Sequence, residues 1–298
     1  MKKWCLAPCL VFATFAASAE ILGTKPRYLA ESAASFANDQ AVSRKIWMPG
    51  LDEDYVPQGL AVEGQSILVA AYRGADGKAA GAACRIARVD VATGRETGHF
   101  DAPAQCVHAA GLANVSGGMI VLADIHDLWR IDLEKALRTG SAEGAVHGHV
   151  KLAGQLEGHF AAFDGADLWI GMYTVQKEAS RAKMHRLALT ILDEYDGRTI
   201  DERQAVESVA VPPLGQGAAF EGDSIWMAAS SSRIGALYRL DRRTGRVLAR
   251  YDIVTGIEGI AFDSQGRLWA VSEAGAKKYL HWAQHFPVIF EIDVTRLR

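Results

Sequence analysis

The chain has 298 residues, 49% of them apolar and 22% charged, with a formal net charge of −3 and a pI near 6.3. Mild acidity without a basic block argues against a nucleic-acid partner and against an anionic membrane surface. This length and apolar content suffice for one large buried core, and no internal segment is long and apolar enough to span a bilayer.

The first 19 residues read as a signal peptide. Lys2 and Lys3 precede an apolar run from Cys9 to Ala16, and Ala17-Ser18-Ala19 supplies the small residues a signal peptidase needs, so cleavage is expected before Glu20. A lipoprotein reading through Cys9 is weaker, because Pro8 precedes it and the apolar run follows it. The expected location is periplasmic or secreted. An oxidising compartment permits a disulfide between Cys84 and Cys106, the two cysteines beyond the leader. The alternative is a pair of small buried apolar residues.

Residues 20–42 are Ala-rich and weakly patterned and read as an arm. Ser43 to Met48 (SRKIWM) reads as one strand, and residues 43–298 as one domain. From Gln58 a hairpin recurs five times: QGLAVEGQSILVAAY from Gln58, AGLANVSGGMIVLAD from Ala110, HFAAFDGADLWIGMY from His159, QGAAFEGDSIWMAAS from Gln216 and EGIAFDSQGRLWAVSE from Glu258. Each is an apolar run, a Gly-containing turn and a second apolar run. A third strand ending in Asp follows, at Asp90, Asp132, Asp193, Asp241 and Asp293. These aspartates are expected to cap turns, as in Asp90-Val-Ala-Thr-Gly94, where the side chain accepts from backbone N–H groups. A more polar fourth strand follows in all but the last copy.

Four short strands at a period of 42 to 57 residues are the signature of an all-β propeller. Five four-stranded blades are expected, with SRKIWM supplying the missing strand of the last blade and closing the ring. Neither 20–57 nor the gap from His159 to Gln216 has room for a sixth blade. A solenoid of β-turns is the other architecture such repeats allow. Strand rhythm, the Asp…Thr-Gly turns and the GxLWxxxE phrase resemble the exported propellers of the SMP-30/gluconolactonase and YncE-like group. That resemblance implies a metal-dependent lactonase or phosphoester hydrolase. The group's metal-binding Glu stands in an E-G-P-x-W phrase, of which Glu258-Gly-Ile-Ala-Phe keeps the Glu-Gly.

In a propeller the first strand lines the channel and starts at the face where the second strand ends. Both ends of every hairpin should therefore meet at one mouth. The first positions are Gln58, Ala110, His159, Gln216 and Glu258, and the last are Tyr72, Asp124, Tyr173, Ser230 and Glu273. His108, Arg73, His126 and Lys277 lie close by in sequence. Polar side chains at such a mouth are where ligands sit. Glu258 with Glu273 or Asp124 could hold a divalent cation, calcium by chemistry, with Gln58 and Gln216 adding amide carbonyls. A zinc site from His108, His159 and Asp124 fits the ligand types without a supporting local spacing. A cation there would activate water for hydrolysis, with His108 or His159 as general base and Gln58, Tyr72, Arg73, Tyr173, Gln216 and Lys277 holding a small-molecule ligand. The milder reading is a solvated rim whose carboxylates pair with Arg73 or Lys277, and channel histidines bonded to neighbouring blades. A non-enzymatic module binding a ligand or partner protein is the remaining class. The loop Ala274–Phe286, with Tyr279, Trp282, His281, His285 and two lysines, reads either as an interface anchor or as a lid. Trp169, Trp226 and Trp269 are expected to pack between blades. No nucleophile elbow or phosphate loop is present.

Overall fold

The computed structural model describes residues 20–30, 35–74 and 84–298. The expected leader, 1–19, lies outside the described residues. Five sheets form the body of the protein. Blade 1 comprises Tyr55–Glu63, Ser66–Arg73, Arg85–Asp90 and Glu96–Asp101. Blade 2 comprises Gly111–Asn114, Met119–Asp124, Asp127–Asp132 and Val146–Leu152. Blade 3 comprises Phe160–Phe163, Leu168–Gly171, Lys183–Leu187 and Glu207–Ala210. Blade 4 comprises Gly215–Glu221, Ser224–Ser230, Gly235–Asp241 and Val247–Asp252. Blade 5 comprises Ile257–Phe262, Leu268–Ser272 and Val288–Ile292, and Val42–Trp47 pairs antiparallel with Val288–Ile292 at its outer edge. The five innermost strands touch one another in a closed cycle, so the fold is a five-bladed β-propeller.

The burial pattern explains the composition of the repeats. Second strands such as Ser224–Ser230 are buried along their whole length, because each blade is covered on both faces by its neighbours. They therefore read as continuous apolar runs rather than alternating ones. Glycine occupies the second hairpin position in four copies because the inner strands approach backbone to backbone. A Cβ on Gly111 would lie 2.4 Å from Ala161 N. In blade 3 that position is Phe160, which is buried against Gly171 of its own blade.

Two expectations fail locally. The third strand of blade 3 is Lys183–Leu187, and Ile191–Glu194 is a helical turn, so Asp193 ends no strand and caps no turn. It pairs instead with Arg130 of blade 2. The segment after it adds Thr199–Ile200 as a short parallel strand on Val146–Leu152. The other four aspartates accept backbone N–H groups at Thr93, Lys135, Thr244 and Thr295, with Asp132 capping the helix Leu133–Thr139. Cys84 and Cys106 form a disulfide with a Cα–Cα distance of 5.9 Å. Among the described residues no helix is long and apolar enough to cross a membrane.

Candidate functional site at the channel mouth

Three inner strands slip register near the face where they begin. The slips fall between Pro57 and Leu60, Gly215 and Gly217, and Ile257 and Ile260. A bulge adds a residue to one strand and re-aims its side chain. The displaced residues include Gln58, Gln216 and Glu258, three of the five first positions. Three non-glycine residues just ahead of inner strands hold left-handed backbone: Asp54 at φ 67°, Ala109 at φ 53° and Leu214 at φ 66°. Such conformations cost energy and persist where surrounding structure imposes them.

At the centre of the mouth lie Glu258 and Glu273, both buried. Gln58 Nε2 donates to Glu273 Oε2 at 2.7 Å, and Gln216 Nε2 to Glu258 Oε1 at 2.9 Å. Ser230 Oγ lies 3.5 Å from the same Glu258 oxygen. Burial pushes the Glu258 carboxyl well above its ordinary range, and the neighbouring Glu273 charge and the hydrogen bond between the two push it further. Burial also raises Glu273, to about 7, against the hydrogen bond from Gln58 and the Lys278 charge, which oppose the rise. Mutual repulsion and loss of water both favour the protonated form of each carboxyl.

A wall of aromatic and basic side chains surrounds the pair. Tyr72 stacks on His108 at 4.7 Å between ring centroids. Lys278 Nζ donates to Tyr72 Oη at 2.6 Å, and Tyr72 Oη lies 3.2 Å from Tyr279 Oη. Tyr173 sits near both carboxyls, which together with burial raise its pKa. His159 lies 6.1 Å from Tyr173 and bonds Glu157 through Nε2 at 3.0 Å. Burial lowers both histidines, His108 to about 4, with the His159 and Lys278 charges adding to the effect. His108, His159, Tyr173 and Gln216 are half-buried.

Several expected roles change. An imidazole held near pKa 4 is neutral at working pH but a weak base. Asp124 accepts from the backbone N–H groups of Val107 and His108 at 2.7 and 3.0 Å and anchors the loop carrying His108. Of the three expected cation ligands, only Glu258 and Glu273 therefore face each other. Arg73 Nε donates to Glu53 O, and Lys277 Nζ to Asp52 O and the Asp54 carboxylate, so both are committed away from the pair. The lysine at the site is Lys278, one residue on. A single turn of 3₁₀ helix over Lys277–Tyr279 separates the two, and nothing in the sequence ranks one lysine above the other. The loop Ala274–Phe286 is fastened to blade 5. Phe286 is buried against Phe36 and Phe290, and Gln284 accepts from Thr255. Trp282 packs on Tyr279 at 4.4 Å between ring centroids. Among the described residues no cluster of three or more His, Cys, Asp or Glu is arranged to hold a metal ion.

Neither a comparison with protein-family models nor one with curated proteins finds a match. Among solved structures, the chain is similar to the glutaminyl cyclase of Myxococcus xanthus, with a TM-score of 0.56 and 13% identity over 84% of this chain and 94% of that one. A Bacteroides caccae protein of unknown function follows at a TM-score of 0.43 and 12% identity, covering 73% of this chain and 71% of that one. BamB of Moraxella catarrhalis has a TM-score of 0.36 and 12% identity over 78% and 57%. At these identities the likeness is one of fold.

Proposed function

We propose that the channel mouth is an acid–base site in which Glu258 and Glu273 exchange a shared proton with an amine- or amide-bearing ligand. The reaction we assign to it is cyclisation of an amino-terminal glutamine. The observation that carries this reading is the buried carboxyl pair, one member of which titrates near neutrality. General acid–base catalysis works best with a group whose pKa lies near the operating pH. The likeness to a glutaminyl cyclase over 84% of this chain and 94% of that one supports the choice of reaction.

In this reading the ligand's ammonium meets the pair and gives a proton to the Glu273 carboxylate. The freed α-nitrogen attacks the side-chain carboxamide carbon, forming the ring C–N bond. Glu258 protonates the departing nitrogen as the old C–N bond breaks, then takes the second proton from the ring nitrogen. Ammonia leaves and recovers the proton held by Glu273, so the pair ends as it began. Tyr173, half-buried beside both carboxyls, would offer its ring to the cation. Export through the leader, with the Cys84–Cys106 disulfide, completes the reading.

The same pair favours a second reading. A divalent cation such as calcium would relieve the carboxylate repulsion that the proton otherwise relieves. Glu258 and Glu273 would hold it, and it would supply Lewis-acid activation for hydrolysing a lactone or phosphoester.

The test is ammonia release from glutaminyl peptides with and without calcium. Wild-type protein is expected to release ammonia without added metal, and Glu273→Gln to lower the rate by roughly 100-fold or more. Turnover of lactones alone, dependent on calcium, would replace the first reading with the second. No turnover in either assay would sink both.

A further inference from the structure

Lys277 and Lys278 are equivalent in sequence, yet one is held away from the carboxyl pair and the other stands beside Glu273. The cause lies in the segment ahead of the propeller. Leu22 is held at the outer edge of blade 5, where its N–H donates to Lys45 O and its carbonyl accepts from Trp47 N, both at 2.9 Å. Farther along the arm, Tyr28 meets the loop Ala274–Phe286. Its hydroxyl donates to Gly275 O at 2.9 Å, and the Lys277 ammonium lies 5.6 Å from the centre of its ring. Lys277 Nζ also donates to Asp52 O at 2.6 Å and pairs with Asp54 at 2.7 Å. Arg27 N donates to the Asp52 carboxylate at 3.0 Å, which ties the arm to the same acidic segment.

Gly275 is where the chain turns from the second strand of blade 5 into the 3₁₀ turn Lys277–Tyr279. Its φ is 94°, which glycine alone adopts readily. Ala276 N donates to Glu273 O at 2.9 Å and Tyr279 N to Ala276 O at 2.8 Å, so the turn is built directly on Glu273. Successive residues of a 3₁₀ turn point about 120° apart. With Lys277 directed to Asp52 and Asp54, Lys278 is directed elsewhere. Its Nζ donates to Tyr72 Oη at 2.6 Å and lies 4.8 and 5.2 Å from the ring centres of Tyr72 and Tyr279. Pairing of Val42–Trp47 with Val288–Ile292 completes blade 5 without these arm contacts, so ring closure does not account for them.

We infer that the amino-terminal arm is part of the working mouth, with Tyr28 a positioning residue that acts through Gly275 and Lys277 to set Lys278 on Tyr72 beside Glu273. A cation at that place opposes the rise that burial causes in Glu273, so the arm bears on the proton affinity of the pair. The inference rests on the acid–base reading for the mouth as the site of chemistry. It does not depend on which reaction the pair performs, and it is read on Lys278 itself, apart from turnover.

Trace acetylation at a series of pH values, followed by peptide mapping, gives the titration of each lysine in the whole protein. The titratable groups around Lys278 are Glu273, Tyr72, Tyr279 and His108. In the wild type Lys278 should titrate below the ordinary 10.5, because burial lowers it against the opposing Glu273 charge. Tyr28→Phe deletes the bond to Gly275 and keeps the ring, and should remove about half of that depression. Lys277→Met should act alike from the loop's side, and the double variant Y28A/K277M should return Lys278 to the ordinary value. Trp226→Phe, which deletes an indole hydrogen bond to Glu221, should leave Lys278 as in the wild type. An ordinary Lys278 titration in the wild type, or one unchanged in the double variant, would overturn the inference, as would an equal shift in Trp226→Phe. Ammonia release is measured separately. Its absence alongside the expected Lys278 shifts would remove the cyclase reading and leave Tyr28 in its role.

Discussion

The two ends of the same five inner strands carry acids with opposite electrostatics. At the mouth, burial outweighs everything else and Glu258, Glu273 and Asp124 are all shifted upward. At the other end, Asp164 and Asp263 sit in the turns leading to the second strands, and both are shifted downward. Burial raises each, but hydrogen bonds outweigh it. Asp164 receives the backbone N–H groups of Asp167 and Ala166, the Trp169 indole and the Arg242 guanidinium. Asp263 receives the backbone and guanidinium of Arg267 and the Trp269 indole. Toward that far end the inner strands surround a cavity of about 170 Å³ lined by residues such as Leu60, Ala113, Ala161, Ala218 and Ile260. A repeat unit thus lowers acids where donors converge and raises acids where burial outweighs the donors supplied. The expectation that the recurring tryptophans simply pack between blades needs this addition: each also donates its indole N–H to a turn acid, Glu221 in the case of Trp226.

Three experiments sharpen the contrast. The largest effect is expected from pH. A carboxyl raised from 4.5 to about 7 contributes stability that is complete below pH 4.5 and is lost as pH rises through 7. Thermal unfolding of the wild type should lose about 3 kcal/mol to this group across that window, and Glu273→Gln should remove that slope. The lowered acids Asp164 and Asp263 act oppositely. Their contribution is present above the ordinary carboxyl pKa of 3.8 and is lost as pH falls below it. A wild-type slope between pH 5 and 8 that is undiminished in the variant would show that Glu273 does not titrate there, since Glu258, raised chiefly by its own burial, keeps its own contribution. Next, Gly111→Ala places a methyl 2.4 Å from backbone atoms of blade 3 and should cost about 2 kcal/mol in denaturant unfolding. Because it strains the ring between the two ends, it should also raise KM for any mouth ligand. Smallest is Trp226→Phe, which deletes one indole hydrogen bond at the far end and should cost about 1 kcal/mol. Turnover and ligand affinity should stay at wild-type values, and a fall in either would break the separation of the two ends.

Much of the fold was legible in the chain because a propeller repeats its physics. Each hairpin must bury both faces, so each carries the same apolar runs, turn glycine and Asp cap. Five copies therefore announce five blades. Blade 3 was misread where the pattern was borrowed: LALTILD has the apolar content of a strand, but Ile191 and Leu192 bury against blade 2 as a helical turn. At the site, the recurring hairpin, its ends 14 residues apart in four copies and 15 in the fifth, brought Gln58, Tyr72, His159, Tyr173, Gln216, Glu258 and Glu273 together on one face. It could not separate Lys277 from Lys278, nor remove Arg73, because those depend on which partner each long side chain finds.

Residue order alone determined the ring, its handful of channel-facing positions and the mild acidity of the surface, because these follow from periodicity and composition. Only the assembled ring decided that Glu258 and Glu273 share a dry site, that Asp124 is spent on holding a loop, and that His108 is kept neutral. The reason is that a pKa and a hydrogen-bond partner depend on what strands from other blades exclude or supply. The bulges that aim the glutamines and Glu258 inward exist only once those strands are paired.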